Sequence, residues 1–234
     1  MKKILFSFLA TILSIFVYSQ TNNYDVAMQI DPRSLAAEHN RLVQAVHQLQ
    51  SQNSTLSVED AIRKVDNNVN NNDVLNKTID YFTTNTDSDK MLDFVYSNMK
   101  TDDGKNIVRK MVEIVKNYGD NYPKLNELIN AELSNSKNIN EFDLKVIQVI
   151  GYTYIASSDY WNNTYPRMNL SSVNSTSRRS VRSIVNNDGA AIGASFIGWA
   201  ILAVAFPPAA PVAAANMFAS VAVGGALGSI IIAK

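Results

Sequence analysis

Few residues in this chain have the types and spacing that metal binding or catalysis requires. Only two histidines occur, His39 and His47, eight positions apart on one predicted helix. A zinc site on a helix uses histidines at i and i+4, because both rings then lie on one face within reach of the same ion. A separation of eight places the two rings about two turns apart. We therefore predict no metal site.

Two acidic segments, Asp87-Ser88-Asp89 and Asp102-Asp103-Gly104, resemble fragments of calcium-binding loops. The second lacks alternating ligands, and neither segment is followed by a glutamate at the distance that such a loop requires. Asp and Ser also cap helices and form turns, because their side chains bind nearby backbone amides. We interpret both segments as caps and turns.

The sequence also lacks the short motifs of common enzymes. There is no GxSxG, no GxxxxGK[ST] and no HExxH, and there is no cysteine. These absences exclude thiol catalysis, cysteine-bound metals and disulfides, and they remove the usual nucleophile and phosphate-binding signals. We predict a protein that is not an enzyme, with no catalytic residues and no cofactor.

The body of the chain is predicted to be all-α. Asp31-Pro32 offers an N-cap and a proline at the first helical position, and Ser57-Val58-Glu59-Asp60 reads as a capping box. Apolar residues recur at helical spacing in six or seven segments, which predicts a helical bundle. Only Glu141–Ser157 also fits a strand. A helix is favoured there because no second strand candidate is present to pair with it.

The chain begins with the pattern of a secretory signal peptide. Met1-Lys2-Lys3 is followed by an uncharged, mainly apolar run, Ile4–Val17, as in the charged and hydrophobic regions of such peptides. The run is shorter than the roughly 20 residues that a spanning helix needs, which favours cleavage near Ser19 over an uncleaved anchor. We expect the protein to be exported, to the cell envelope or to the medium.

Charge is distributed unevenly. Residues 21–165 contain 14 Lys or Arg and 20 Asp or Glu, a net charge of −6, whereas residues 166–188 contain four arginines and one aspartate. An acidic body argues against a nucleic-acid partner. Within the basic linker, Arg178, Arg179 and Arg182 could contact lipid headgroups. The same residues could instead form a processing site or a solvated linker.

An uncharged tail follows the linker. No charged residue occurs from Gly189 to Ala233, and Pro207, Pro208 and Pro211 divide this tail into two apolar arms. As helices the arms would measure about 27 Å and 33 Å, close to the roughly 30 Å hydrocarbon layer of a bilayer. The pattern therefore predicts a hairpin of transmembrane helices, although its many glycines and alanines make insertion marginal.

Small residues recur every four positions in both arms, which lets helix backbones approach closely in lipid or in a self-associated form. An apolar helix of this kind is otherwise buried at the centre of a folded domain, and that alternative stays open. The residues predicted to serve in membrane insertion and helix packing are Gly189, Gly193, Gly198, Trp199, Pro207, Pro208, Pro211, Ser220, Gly224 and Gly228.

The layout of an exported helical body, an Arg/Ser linker and an Ala/Gly-rich hairpin resembles that of small bacteriocin-like secreted proteins. In outline the hairpin is also similar to that of pore-forming colicins. The predicted divisions are a signal peptide (1–19), an acidic helical bundle (20–165), a basic flexible linker (166–188) and a hydrophobic hairpin (189–234).

We therefore expect an exported membrane-active protein whose partner is a lipid bilayer, with possible self-association through the hairpin. The alternative function is a periplasmic or surface helical protein that binds a protein partner and is anchored or packed through its hairpin.

Overall fold

The computed structural model describes residues 27–65, 87–167, 180–205, 218–227 and 230. Within these ranges the regular secondary structure is helical and contains no strand, so the prediction of an all-α fold is confirmed. The longer helices are α1 (Pro32–Gln52), α2 (Val58–Val65), α3 (Ser88–Asn98), α4 (Asp102–Tyr118), α5 (Tyr122–Asn135), α6 (Glu141–Asp159), α7 (Val181–Ala205) and α8 (218–227).

The predicted helix starts have the expected chemistry. The Asp31 carboxylate accepts a hydrogen bond from the Ser34 amide at 2.9 Å, and Pro32 follows at the start of α1. The Ser57 hydroxyl accepts from the Asp60 amide at 3.0 Å before α2. These side chains satisfy amide groups that have no partner inside the helix, which is why α1 and α2 begin where they do.

The acidic segments also lie at helix starts. Asp87 is the N-cap of α3 and accepts from the amides of Asp89 and Lys90. Thr101 is the N-cap of α4, so Asp102 and Asp103 form the first turn of that helix. Negative charge in a first turn interacts favourably with the helix dipole. Capping therefore accounts for both segments.

One buried carboxylate joins α6 to the turn between α3 and α4. Asp143 accepts hydrogen bonds from the Lys100 amide at 2.8 Å, and from the amide and hydroxyl of Thr101 at 2.7 Å and 2.6 Å. The Asp143 side chain is fully buried, so these three donors replace the water that it loses. This contact fixes where α4 starts relative to α6.

Helix α6 is the centre of the bundle and is in contact with α1, α4, α5 and α7. This helix is the segment with the ambiguous pattern, and helix is the observed state. Its fully buried apolar side chains are Val146, Ile147, Val149, Ile150 and Tyr154. A helix covered on several sides loses the one-sided apolar pattern, which explains the ambiguity of the sequence.

Helix α7 is packed inside the bundle against α3, α4 and α6. It starts at Val181, eight residues before the predicted first arm, because Ser180 caps it through a hydrogen bond from the Ser183 amide at 3.2 Å. Every residue from 184 to 194 is buried, so three turns of α7 are covered on all sides. Residues 220–227 of α8 are buried as well.

Two glycines allow α7 to lie against α6. A Cβ atom at Gly189 would be 2.1 Å from Cε1 of Tyr154, and one at Gly193 would be 2.8 Å from Cδ1 of Ile150. A larger residue at either position therefore requires the facing side chain to move or to be smaller, or the helices to separate. A Cβ at Gly198 would meet no atom within 4 Å among the described residues. The first two glycines serve packing within this chain, and the third is not required by space.

The prediction of transmembrane helices is not met by the described residues, since none of their helices has the length and apolar character needed to cross a membrane. The physical reason in α7 is its polar first half, with Arg182, Asn186, Asn187 and Asp188. The second predicted arm lies partly outside the described residues.

Replacing Gly189 by alanine should destabilise the fold by about 1–3 kcal/mol, because the added methyl group overlaps the Tyr154 ring. Gly198→Ala on the same helix is the matched control, and it should be neutral or stabilising by up to about 1 kcal/mol through higher helix propensity. Urea unfolding followed by circular dichroism measures both. Equal stability of the two variants would contradict the packing of α7 against α6.

Candidate functional site

The structure describes seven of the predicted site residues. Arg182 binds the helical body, with Nε 2.9 Å from Oδ1 of Asp120 and Nη1 donating to the Lys116 carbonyl at 3.3 Å. Its charge is therefore already partly matched by protein groups. Arg178, Arg179, Pro207, Pro208, Pro211 and Gly228 lie outside the described residues.

The predicted packing residues of the tail are brought into the protein interior. Gly189 and Gly193 face α6, while Trp199, Ser220 and Gly224 are buried in α7 and α8. Gly198 is partly exposed. The small residues of α7 thus have a partner helix within the same chain.

Polar residues from several helices form a buried cluster where α7 and α8 meet the rest of the protein. The sequence did not predict a site here. We call it the His39–Asp188 cluster, and its members are His39, Asn40, Ser157, Asp188 and Gly225. The Ser157 hydroxyl donates a short hydrogen bond to Oδ2 of Asp188. Nε2 of His39 lies 3.9 Å from the same carboxylate oxygen. The side chains of His39, Ser157 and Asp188 are fully buried. Residues from α1, α6, α7 and α8 therefore meet at this cluster.

Asn40 fixes the proton on the His39 ring. The Asn40 amide nitrogen donates to the Ala156 carbonyl at 2.7 Å, so its oxygen faces the ring. That oxygen lies 3.1 Å from Nδ1 of His39. An amide oxygen can only accept, so this contact places a proton on Nδ1.

Burial dominates the electrostatics of the cluster. Loss of water lowers the pKa of His39 to about 4, against the opposing effect of hydrogen bonds to Asn40 and to the Gly225 backbone. Burial likewise raises the pKa of Tyr154, with smaller contributions from repulsion by Tyr96 when that phenol is ionised and by the carboxylate of Asp188. His39 is therefore held neutral at physiological pH.

The residue types in this cluster are those of a Ser-His-Asp triad, but the geometry is different. In a triad the serine donates to the imidazole and the carboxylate orients the imidazole from its other side. Here the hydroxyl of Ser157 donates to the carboxylate, and Nδ1 of His39 faces Asn40. The three side chains are also fully buried. The arrangement is suited to holding helices together.

Rings from α1 and from the chain after α6 form a second cluster around His47. Its Nδ1 lies 2.8 Å from the Tyr160 hydroxyl. The centroids of the Trp161 and Tyr165 rings lie 5.3 Å and 5.0 Å from the centroid of the imidazole ring. The π-helical turn Tyr160–Thr164 brings Tyr160 and Trp161 to this place. These rings are buried, so they close one end of the bundle as a packed aromatic group.

Helices α7 and α8 contain buried polar atoms that have no hydrogen-bond partner among the described residues. They are both amide atoms of Asn187, the hydroxyls of Ser195 and Ser220, and the indole nitrogen of Trp199. Such a group costs about 1–3 kcal/mol relative to a satisfied one. The packing of the tail is therefore less favourable than that of an apolar core of equal size.

Two features of the sequence could have indicated the His39–Asp188 cluster. His39 follows Leu35 by four positions and precedes Leu42 by three, so helical spacing places it on the buried face of α1. Asp188 is the last charged residue before the 45 uncharged residues of the tail. Neither feature alone identifies the partner of the other residue.

No group of three or more His, Asp or Glu side chains in the described ranges is arranged to hold a metal ion. No family model, curated protein or solved structure matches this chain. The function must therefore be inferred from the geometry of the fold.

Replacing Ser157 by alanine should cost about 1.5–3 kcal/mol of folding free energy, because it removes a hydrogen bond to a buried carboxylate. Thr153→Val is a matched control one turn earlier on α6, equally buried, whose hydroxyl donates to the Val149 carbonyl at 2.8 Å. Loss of that neutral bond should cost only about 0.5–1.5 kcal/mol. Chemical denaturation at neutral pH compares them, and an equal or smaller loss for Ser157→Ala would argue against a carboxylate at this position.

Proposed function

We propose that this chain is an exported, non-enzymatic, membrane-active protein of bacteriocin-like layout. It keeps its apolar C-terminal helices inside an acidic helical body and transfers them to a lipid bilayer. The observation that carries the proposal is that α7 has no charged residue from Gly189 onward and that its residues 184–194 are buried among α3, α4 and α6. A helix of this kind is stable in contact with protein or with lipid, and unstable in water.

The polar atoms of α7 and α8 that have no hydrogen-bond partner in the described part of the chain support a transfer of these helices to lipid. They raise the free energy of the packed form, which brings it closer to other states in which the same helices are shielded from water. Hydrogen bonds between two copies of these helices are one way to satisfy Asn187 and Ser220, because polar side chains bond across helices in lipid. Self-association through the tail is therefore part of the proposal.

Charge supports an anionic bilayer as the partner. Arg178, Arg179 and Arg182 precede the 45 uncharged residues of the tail, and each basic residue near an anionic surface contributes about 1 kcal/mol of attraction. The body is acidic and would be repelled by the same surface. This asymmetry favours an orientation in which the tail approaches lipid first.

A second candidate function is a helical binding protein that uses its C-terminal helices as a permanent core. The close fit of Gly189 to Tyr154 and of Gly193 to Ile150 favours it, because such contacts are typical of a helix that stays in place. On this alternative the tail never leaves the body, and the partner is a protein in the periplasm or at the cell surface.

A cross-link between α6 and α7 separates the two candidates. The variant Ile150→Cys/Gly193→Cys joins positions where a Cβ at residue 193 would be 2.8 Å from Cγ1 of residue 150, a separation that suits a disulfide. The chain has no cysteine of its own, so the pair is unique. The oxidised variant should release no dye from vesicles of equal parts phosphatidylcholine and phosphatidylglycerol, and reduction should restore release to the wild-type level.

The matched control is Leu133→Cys/Gly151→Cys, which joins α5 to α6 and leaves α7 free. It should release dye in both redox states. Release by the oxidised Ile150→Cys/Gly193→Cys variant would show that α7 need not leave the body. If the wild-type chain releases no dye, the membrane function is wrong and the binding protein is favoured.

A further inference from the structure

The face of α7 opposite to α6 is formed largely by small residues. Gly189 lies against Tyr154 of α6, and Gly198 follows it by nine positions, which is about two and a half turns of helix. Gly198 therefore lies on the side of α7 that points away from α6. Residues spaced by four, three and four positions share this side. We call them the α7 seam, and they are Asn187, Ala191, Ala194 and Gly198.

The small size of Gly198 has no explanation in the packing of the described residues. A Cβ atom at Gly198 would meet no atom of theirs within 4 Å, whereas Gly189 and Gly193 are required by their contacts with α6. A glycine inside a helix also lowers helix stability relative to alanine. Small residues at this spacing allow two helix backbones to approach closely. The seam therefore has the shape of a helix-packing surface.

Asn187 adds unsatisfied hydrogen-bonding groups to the same face. Its side chain is only 1 % exposed, and both polar atoms of its amide have no hydrogen-bond partner among the described residues. An amide carries a donor and an acceptor, so two copies of one asparagine can form a pair of hydrogen bonds with each other. A single asparagine in an otherwise apolar seam also fixes the register and the number of helices that associate.

We propose that the α7 seam is the surface through which two copies of this chain pair, with their α7 helices parallel and Asn187 facing Asn187 across a two-fold axis. Such an interface uses the same patch on both copies. An antiparallel pair centred on Asn187 would place Gly198 beyond the start of its partner helix, since α7 begins at Val181. The parallel pair uses the whole seam.

This inference rests on the proposed function, because Asn187 and Ala191 are buried in the body and become accessible only when α7 leaves it. In lipid the face that carries Gly189 and Gly193 is exposed as well, and its small residues are a competing surface for pairing. The seam is favoured because it also carries the unpartnered amide of Asn187.

Single cysteines in the full chain distinguish the two faces, since the chain has no cysteine of its own. Ala191→Cys lies on the seam, and Ala200→Cys, nine positions later, lies on the side of Gly189. In dodecylphosphocholine micelles under mild oxidation, Ala191→Cys should form a disulfide-linked dimer about ten times faster than Ala200→Cys. Equal rates, or faster cross-linking through residue 200, would overturn the seam.

Two further changes in the Ala191→Cys chain test the residues of the seam. Asn187→Leu and Gly198→Ile should each slow cross-linking about ten-fold, by removing the amide pair and by blocking close approach. Gly198→Ala is the matched control and should cross-link at the unchanged rate. Full cross-linking in both Asn187→Leu and Gly198→Ile would show that the seam is not the interface.

Urea unfolding in water checks that the body of the Asn187→Leu chain stays intact. Its midpoint should rise, because a buried polar group without a partner is replaced by an apolar side chain of similar size. A lower midpoint would show that Asn187 serves packing inside the body, against its assignment to the seam.

Dye release from vesicles by the same proteins separates this inference from the proposed function. Release without cross-linking through residue 191 would retain the membrane function and overturn the seam. Cross-linking through residue 191 without release would retain the seam and count against the membrane function. If neither is observed, both are wrong.

Discussion

The close contact between α6 and α7 is the constraint on which the rest of the structure depends. At Gly189 the ring of Tyr154 occupies the space of a side chain, and at Gly193 the same is true of Ile150. This approach places Asp188 over Ser157 and next to His39. It also allows three turns of α7 to be buried by α3, α4 and α6. With larger residues at these two positions, α7 would be displaced and the polar cluster would open.

The polar residues in the first half of α7 can set the register of this helix, which its apolar residues cannot do. Apolar packing is non-directional, and a helix that is apolar on all sides can rotate or slide with little loss of contact. The hydrogen bond that Asp188 accepts from Ser157 is directional, and the same carboxylate faces His39. We infer that this contact sets the register of α7 against α1 and α6, at the cost of burying polar groups such as Asn187 that are not all satisfied by the described residues.

Helix α7 is suited both to a protein core and to a bilayer, because both environments exclude water. The difference lies in the free energy of the packed form. Glycine contacts with Tyr154 and Ile150 stabilise it. Polar atoms of Ser195, Trp199 and Ser220 that have no hydrogen-bond partner within the described ranges destabilise it. Balanced terms of this kind are what a protein needs if a packed helix is to be released under a defined condition.

The sequence by itself determined the all-α fold, the starts of α1 and α2 at Asp31 and Ser57, and the uncharged character of the tail. These features depend on neighbours within a few residues, since capping and apolar spacing are local. The sequence did not determine whether the tail leaves the body, because an apolar helix has the same pattern in lipid and in a protein core. Only the tertiary structure decided that α7 lies against α6 and that His39 meets Asp188. Those two residues are 149 positions apart, and such a contact is fixed by the packing of whole helices against one another.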